Sequence, residues 1–170
     1  MDTITLNMEN LSEAEREQLL SLVEKANKPK RFCLDNMRNG EFFYYIDSVG
    51  DVWEEEFVPR NQFDENKFLL GNAFPTKEAA EFEVERRKVT HEIKEFIAKN
   101  DNGEIGLTDG NKSKYVLTYR IEDDEICVGV FHGAVMSQKE FCSSSRKVIV
   151  DMIGTIGKER IKKYYFGITE

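Results

Sequence analysis

Cysteine, histidine and proline are scarce in this chain of 170 residues, with three, two and three copies respectively. Because Cys33, Cys127 and Cys142 are odd in number and far apart in sequence, a disulfide framework is not expected, and a reducing cytoplasm is the predicted environment. His91 and His132 add no local zinc-binding spacing. The sequence therefore predicts neither a metal site nor another cofactor.

Long apolar runs and an excess of positive charge are also missing. No stretch approaches the roughly 20 apolar residues that a membrane-spanning helix needs, so no membrane association is expected. No charged-then-apolar leader is visible, so secretion is not expected either. The 24 Lys and Arg residues against 32 Asp and Glu residues give a net charge of −8. This balance disfavours a DNA-backbone partner, which usually meets a basic face, and suits a basic protein partner or mimicry of a nucleic acid.

The residues that are present predict a folded α+β protein. Hydrophobic residues make up 40% of the chain and charged residues 33%, which favours a packed core over wholesale disorder. The pattern indicates two β-hairpin–helix units preceded by an N-terminal amphipathic helix. We expect an N-terminal helix and linker over residues 1–30, a first hairpin–helix unit over 31–103 and a second over 104–170.

One long helix near the middle of the chain is the clearest prediction. Thr76 is the expected N-cap, because its hydroxyl can accept a hydrogen bond from the first turn, and Glu78 places negative charge where the helix dipole favours it. Asn100 and Gly103 mark the end. Between these signals the apolar residues recur at helical spacing: Ala79, Phe82, Val89, Ile93, Phe96 and Ile97.

An earlier, shorter amphipathic helix is predicted from a capping-box pattern, Ser12 followed by Glu15. Leu19, Leu20 and Val23 give it an apolar side, and Pro29 cannot continue it. Two alternatives remain open for this apolar side. The helix either docks on the body of the protein or stays free and mediates self-association.

Two hairpins are predicted from aromatic and β-branched runs separated by turn residues. The first covers strands at 42–46 and 52–57, and the second covers strands at 115–121 and 126–131. A short further strand is expected near 67–70. A last helix is expected to start at Ser143 or Ser144, to be interrupted at Gly157, and to be followed by a helical segment over 158–165.

The two halves of the chain echo one another. When Phe74 is aligned with Phe141, Thr76 aligns with Ser143, Phe82 with Ile149 and Val89 with Ile156. The predicted helix starts and the apolar positions of the two halves therefore agree. Identity is slight, which leaves either a duplication or convergence on the same packing problem. A duplication predicts two hairpin–helix units that share one sheet and place both helices on one face.

Three charged clusters are candidate binding sites, each weighed against ordinary solvated surface. The hairpin glutamates could bind a basic partner. Because neighbouring strand residues alternate faces, the three carboxylates cannot all point to one site. The alternative is a charged strand edge that prevents aggregation. The acidic turn has the same candidate role. The basic tail combines cations with aromatic faces and could bind nucleic acid, or could complement the helix dipole. The hairpin glutamates are Glu54, Glu55 and Glu56; the acidic turn is Glu122, Asp123, Asp124 and Glu125; the basic tail is Lys158, Arg160, Lys162, Lys163, Tyr164 and Tyr165.

Catalytic and calcium sites are weakly indicated. Cys127 or Cys142 could pair with His132 as nucleophile and base, but nothing in the sequence fixes their geometry. The loop over 101–114 is rich in oxygen-bearing side chains, yet it lacks the order of acidic and glycine positions of a calcium loop. We therefore expect no enzymatic activity.

Three segments carry a family resemblance: LSEAEREQLLSLVEKANK at 11–28, GNAFPTKEAAEF at 71–82 and IGKERIKKYYF at 156–166. Together they resemble a widespread family of small proteins encoded by phages and prophages of Gram-positive bacteria, whereas residues 29–40 depart from that pattern. The resemblance implies a phage protein and carries over no catalytic residues. With the acidic charge, it favours an inhibitor of host defence, such as an anti-CRISPR protein that binds the basic channel of a CRISPR effector nuclease. The alternative is a phage nucleic-acid-binding accessory or regulatory protein.

Overall fold

The structure is a computed structural model that describes residues 11–27, 31–101, 112–132 and 141–169. It has the predicted α+β composition, with the N-terminal helix and two small antiparallel sheets. The helices are α1 (Glu13–Asn27), α2 (Gln62–Leu69), α3 (Lys77–Asn100), α4 (Arg146–Ile156) and α5 (Lys158–Arg160), which continues as a π-helical turn over Ile161–Tyr165. The strands are β1 (Phe42–Ile46), β2 (Val52–Glu56), β3 (Lys114–Arg120), β4 (Glu125–Phe131) and β5 (Cys142–Ser143).

The long helix α3 confirms the predicted central element. The Thr76 hydroxyl accepts a hydrogen bond from the Ala79 amide at 3.2 Å, which satisfies one of the unpaired donors of the first turn. The amide of Asp101 closes the other end by donating to the Ile97 carbonyl. The stripe between these caps is buried at Ala80, Val89, Ile93 and Ile97.

The two hairpins form separate sheets, so the prediction of one shared sheet is wrong. β1 and β2 form a two-stranded sheet, and the second sheet has the order β4-β3-β5. The long α3 explains the separation, because it contacts β1 and β2 as well as α4 and the π-helical turn. Its C-terminal half contributes Val89, Ile93 and Ile97 to a core shared with α4 and the second sheet. The larger buried cluster consists of Val89, Ile93, Ile97, Ile126, Ile149, Met152, Ile153 and Ile161.

Both halves bring a short segment back beside the first strand of their hairpin. Phe74 forms an antiparallel bridge with Tyr44 on β1, and β5 pairs with Tyr115 and Val116 on β3, in each case just before a helix begins. The first half also inserts α2, which has no counterpart among the described residues of the second. The duplication therefore stays a prediction, as does the division into units at 31–103 and 104–170.

The predicted strand at 67–70 is wrong, because this segment is the C-terminal part of helix α2 and its end. Asn61 caps that helix by accepting a hydrogen bond from the Phe63 amide at 3.0 Å. Phe68 packs against Phe43 and Phe57 in the first hairpin, with ring centroids 5.2 Å and 5.7 Å away. The Asn61 cap and the packing of Phe68 both favour a helix in this stretch, although it shows no clear helical period.

The start of the last helix also differs from prediction. Ser143 is buried and used in β5, where it pairs with Tyr115, so α4 begins later, at Arg146, with Ser145 in the N-cap position. Gly157 ends α4 as predicted, with a backbone φ of 96° that favours glycine. Gly129 in β4 is required for a different reason, since a Cβ there would lie 2.5 Å from the Cγ2 of Thr118.

Helix α1 has the predicted capping box but is not packed into the core. The Ser12 amide donates to the Glu15 carboxylate at 2.8 Å, and the Glu15 amide donates back to the Ser12 hydroxyl at 3.4 Å. Its side chains from 12 to 25 are exposed except for Leu19, and Leu20 is 59% exposed. Of the two alternatives, the structure therefore shows the undocked helix. None of the described helices is long and apolar enough to cross a membrane.

Candidate partner-binding surface

Arg160 of the basic tail is held by carboxylates of α3. Its Nη1 and Nη2 donate to the two carboxylate oxygens of Glu92 at 2.5 Å and 2.9 Å, and Glu85 lies 3.7 Å away. Such a two-point guanidinium–carboxylate contact is among the stronger ion pairs in proteins. The hydrogen bond to Glu92 raises the pKa of Arg160 against the opposing effect of desolvation. Its positive charge is thus already matched within the chain.

The acidic turn and the basic tail lie together and neutralise one another. Lys162 Nζ donates to Asp124 at 2.7 Å, and the Tyr119 hydroxyl donates to the same carboxylate. Lys158 Nζ lies 3.6 Å from Glu125. Asp124 has a left-handed φ of 52°, which aspartate tolerates in turns. Two clusters predicted as separate binding sites therefore form one internal clasp.

The aromatic residues of the tail face inwards. Tyr164 packs against Phe82 with ring centroids 5.2 Å apart, and Tyr165 packs against Phe141 at 5.7 Å. Lys163 Nζ lies 5.2 Å from the Tyr164 ring centroid. A single-stranded nucleic-acid site needs aromatic faces open to the bases and cations open to the backbone. In the basic tail, most of the aromatic faces and most of the cations are in contact with other residues of the protein.

The clasp makes one prediction about pH. The hydrogen bond from Lys162, followed by that from Tyr119, lowers the pKa of Asp124 below its ordinary value. Because the folded pKa lies below the unfolded value of about 3.9, the stabilisation is complete above that pH and is lost as the pH falls through the folded pKa. We expect Asp124→Asn to flatten the acid side of the stability–pH curve, measured by urea unfolding. Glu122→Gln, in the same turn but without an ion pair to any described residue, should leave the curve unchanged, and parallel curves for wild type and Asp124→Asn would contradict the prediction.

The hairpin glutamates alternate as predicted and do not converge. Glu55 turns towards α2 and contacts Lys67, on the face that carries buried Phe43. Glu54 lies on the opposite face and accepts a hydrogen bond from the Tyr44 hydroxyl at 2.5 Å. Glu56 is exposed and forms no ion pair with the described residues. Two of the three carboxylates, Glu54 and Glu56, therefore have no cation beside them among the residues that the structure describes.

Two large aromatic side chains are exposed on the same hairpin. Phe42, directly opposite Glu56, is 59% exposed, and Trp53 on β2 is 53% exposed. The indole Nε1 of Trp53 donates to Asp47 at 3.0 Å, which fixes the ring orientation. Desolvation alone would raise the pKa of Asp47, but hydrogen bonds from the Asp51 amide, the Trp53 indole and other turn amides outweigh it and lower that pKa.

Sequence reasoning did not select Trp53 or Phe42 as site residues. Their signal in the sequence was the single tryptophan of the chain and a phenylalanine at the start of a predicted strand. Within the described part of the chain, β2 has β1 as its only strand neighbour, and a groove of about 500 Å³ runs between β2 and α3 past Trp53. We name Phe42, Trp53, Glu54 and Glu56 the hairpin surface. Phe42, Glu54 and Glu56 share one face of the hairpin, and Trp53 lies on the other face, on the strand that has no second strand neighbour among the described residues.

The chain matches no protein-family model, no curated protein and no solved structure. The surfaces are therefore interpreted from their own chemistry. The three segments on which the expected family resemblance was based have structural roles here: residues 11–28 include the cap of α1, 71–82 include the start of α3, and 156–166 supply the basic side of the clasp and the inward-facing aromatic residues.

The cysteine–histidine hypothesis gains no support from the geometry. Cys127 and His132 are five residues apart along and just beyond β4, about 17 Å at the rise of an antiparallel strand. Cys127 contacts the Thr118 hydroxyl at 3.1 Å, and His132 Nδ1 lies 3.2 Å from the Ser113 hydroxyl. Cys142 is buried in β5 opposite Val116. The oxygen-rich loop considered for calcium falls mostly outside the described residues, and those that are described contain no cluster suited to a metal ion.

Proposed function

We propose that this protein is a phage-encoded inhibitor that binds a host-defence protein in the host cytoplasm, of the anti-CRISPR kind that blocks a CRISPR effector nuclease. The observation that best supports this proposal is the clasp. It pairs Lys162 with Asp124, while Arg160 is paired with Glu92 on α3 and Lys158 shares Glu125 with Arg120. Carboxylates without a neighbouring cation and exposed aromatic side chains remain on the hairpin surface.

The hairpin surface has the chemistry of a protein-binding site for a basic partner. Tryptophan and other aromatic residues anchor many interfaces, because they bury large area at low entropic cost. Glu54 and Glu56 supply negative charge beside Phe42, which suits the basic channels in which effector nucleases hold nucleic acid. The fixed indole of Trp53 needs little further ordering on binding.

The alternative, a phage nucleic-acid-binding accessory protein, has less support. Its predicted site is the basic tail, whose Tyr164 and Tyr165 rings pack within the protein. Lys163 is the one cation of the tail that forms no ion pair with the described residues, and a single lysine gives little affinity for a phosphate backbone.

The test uses the purified full chain with a panel of guide-loaded CRISPR effector nucleases and a DNA-cleavage assay. We expect stoichiometric inhibition of at least one nuclease and direct binding that weakens as salt rises. The double variant Glu54→Lys/Glu56→Lys should weaken that binding at least tenfold, about 1.4 kcal/mol. Glu122→Lys is the matched control, since it reverses an exposed carboxylate outside the hairpin surface, and it should bind as the wild type does.

Two results would contradict the proposal. One is a panel in which no nuclease is bound or inhibited. The other is a salt-sensitive shift of single-stranded DNA by the wild type that is lost in Lys162→Ala or Lys163→Ala, which would assign the chain to the nucleic-acid alternative. Inhibition that persists unchanged in the double glutamate variant would keep the inhibitor but place its interface elsewhere.

A further inference from the structure

A second surface lies on the opposite half of the chain, where a groove of about 810 Å³ runs between β4 and α4. β4 forms one wall with Cys127 and Val128, and α4 forms the other with Val150 and Gly154. We name this space the β4 groove. It shares no residue with the hairpin surface.

The β4 groove carries positive charge on an acidic protein. Arg120, Arg146 and Lys158 line it with one lining carboxylate, Glu125, and Arg120 also pairs with Asp123 at 3.0 Å outside the groove. Glu125 is shared, since its two oxygens lie 3.2 Å from Arg120 and 3.6 Å from Lys158. Arg146 is exposed and forms no ion pair with any residue that the structure describes. The groove thus favours an anionic occupant although the chain as a whole has a net charge of −8.

The backbone of β4 offers a second recognition element. β4 is the edge strand in the order β4-β3-β5, and β3 is its only strand neighbour within the described ranges. Alternate N–H and C=O groups of an edge strand are free to pair with another chain. Natural edges are commonly blocked by lysine or proline, and Glu125–Phe131 contains neither.

Exposed apolar side chains extend this surface along the strand. Val150 on α4 is 44% exposed, and Val130 and Phe131 at the far end of β4 are 44% and 41% exposed. Val130 and Phe131 lie five and six residues beyond Glu125, about 17–20 Å along the strand. A small anion at the cations could not reach them, whereas an extended peptide could contact both ends.

We propose that the β4 groove binds an extended acidic segment of a partner protein, which adds to the sheet as a strand beside β4. Its backbone pairs with the β4 edge, and its carboxylates meet Arg146, Arg120 and Lys158. Side chains on one face of the added strand contact Val130 and Val150, and those on its other face contact Phe131. This is the strand-addition mode of peptide recognition, in which main-chain hydrogen bonds give affinity and side chains give specificity. The site is independent of the proposed function, whose interface is the hairpin surface.

The experiment selects binders of the full chain from a displayed library of random twelve-residue peptides. We expect enriched peptides that combine aspartate or glutamate with β-branched and aromatic residues. A synthetic, dye-labelled copy of the most enriched peptide then serves as the probe in fluorescence polarisation. Arg146→Glu should weaken its binding at least tenfold, while Lys147→Glu, the same charge change at the next residue and outside the groove, should change it less than twofold.

Strand pairing is tested on the peptide itself, so that protein folding is not at issue. Methylation of backbone nitrogens at alternate positions removes the donors to β4 in one register and should abolish binding, whereas methylation at the intervening positions should be tolerated. Absence of enriched peptides, or binding that ignores Arg146→Glu or both methylation patterns, overturns the proposal. A dimer in sedimentation that Arg146→Glu dissolves would overturn it too, because the occupant would then be a second copy of this chain.

Discussion

Replacing Ile93 by alanine is expected to lower the free energy of unfolding by about 2–5 kcal/mol, the cost of removing a large buried aliphatic side chain. Ile93 is completely buried on α3, in the cluster that joins this helix to α4, the second sheet and the π-helical turn. Because Ile149, Met152 and Ile161 belong to different turns and elements, they cannot all move in to fill the cavity. Urea unfolding followed by circular dichroism measures the change.

Ile121→Ala is the matched control for this prediction. The chemical change is the same, but Ile121 is 85% exposed in the turn after β3. Surface substitutions of this kind usually change stability by no more than about 0.5 kcal/mol. Equal losses from both variants would mean that Ile93 does not occupy the packed centre assigned to it.

Lys67→Met is expected to lower the free energy of unfolding by about 3 kcal/mol, because removing one partner of a buried ion pair leaves the other charge uncompensated. Asp64 is fully buried, and its Oδ2 accepts a hydrogen bond from the Val58 amide at 3.0 Å. Its Oδ1 has no hydrogen-bond donor and faces Lys67 Nζ at 3.7 Å. Lys67 also contacts Glu55, and its Nζ lies 4.1 Å from the Tyr45 ring centroid. One ammonium group therefore interacts with two carboxylates, those of Asp64 and Glu55, and with an aromatic face.

A double variant separates the charge effect from lost packing. Asp64→Asn removes the charge that Lys67→Met leaves buried, so the double variant should be clearly less unstable than the sum of the single effects. Lys77→Met is the control, since Lys77 forms an exposed pair with Glu81 at 3.5 Å and should contribute at most about 1 kcal/mol. Strict additivity of the Lys67 and Asp64 effects would contradict the buried pair.

Local signals predicted most of the regular elements. The Thr76 cap, the Ser12 and Glu15 capping box and the two hairpins depend on residues close together in sequence, and all are confirmed. Helix α2 was missed although its Asn61 cap is a local signal, because its apolar residues show no helical period and Phe68 packs against the distant ring of Phe43. The shared sheet failed for the same reason, since sheet separation is decided by where α3 packs.

The candidate sites show the same limit. Sequence alone located the acidic turn and the basic tail but not their contact, because Lys162 and Asp124 are 38 residues apart. The pairing of Arg160 with Glu92 on α3 was missed for the same reason, since these residues are 68 apart. A run of charged residues indicates a binding site only when no opposite charges of the same chain pair with it. Only the fold shows that the acidic turn and the basic tail pair within this chain. Trp53 was missed because exposure is a property of packing rather than of residue type.

The position of α3 in the chain has a consequence for the order of synthesis. Once residues up to Asn100 have emerged from the ribosome, the first hairpin, α2 and the N-terminal half of α3 have all the residues they need to pack together. Val89, Ile93 and Ile97 still lack their cover, because the residues that bury them come from the second sheet, α4 and the π-helical turn. A nascent chain at this stage therefore exposes an apolar stripe of three successive helical turns, which closes only when the C-terminal 70 residues have emerged.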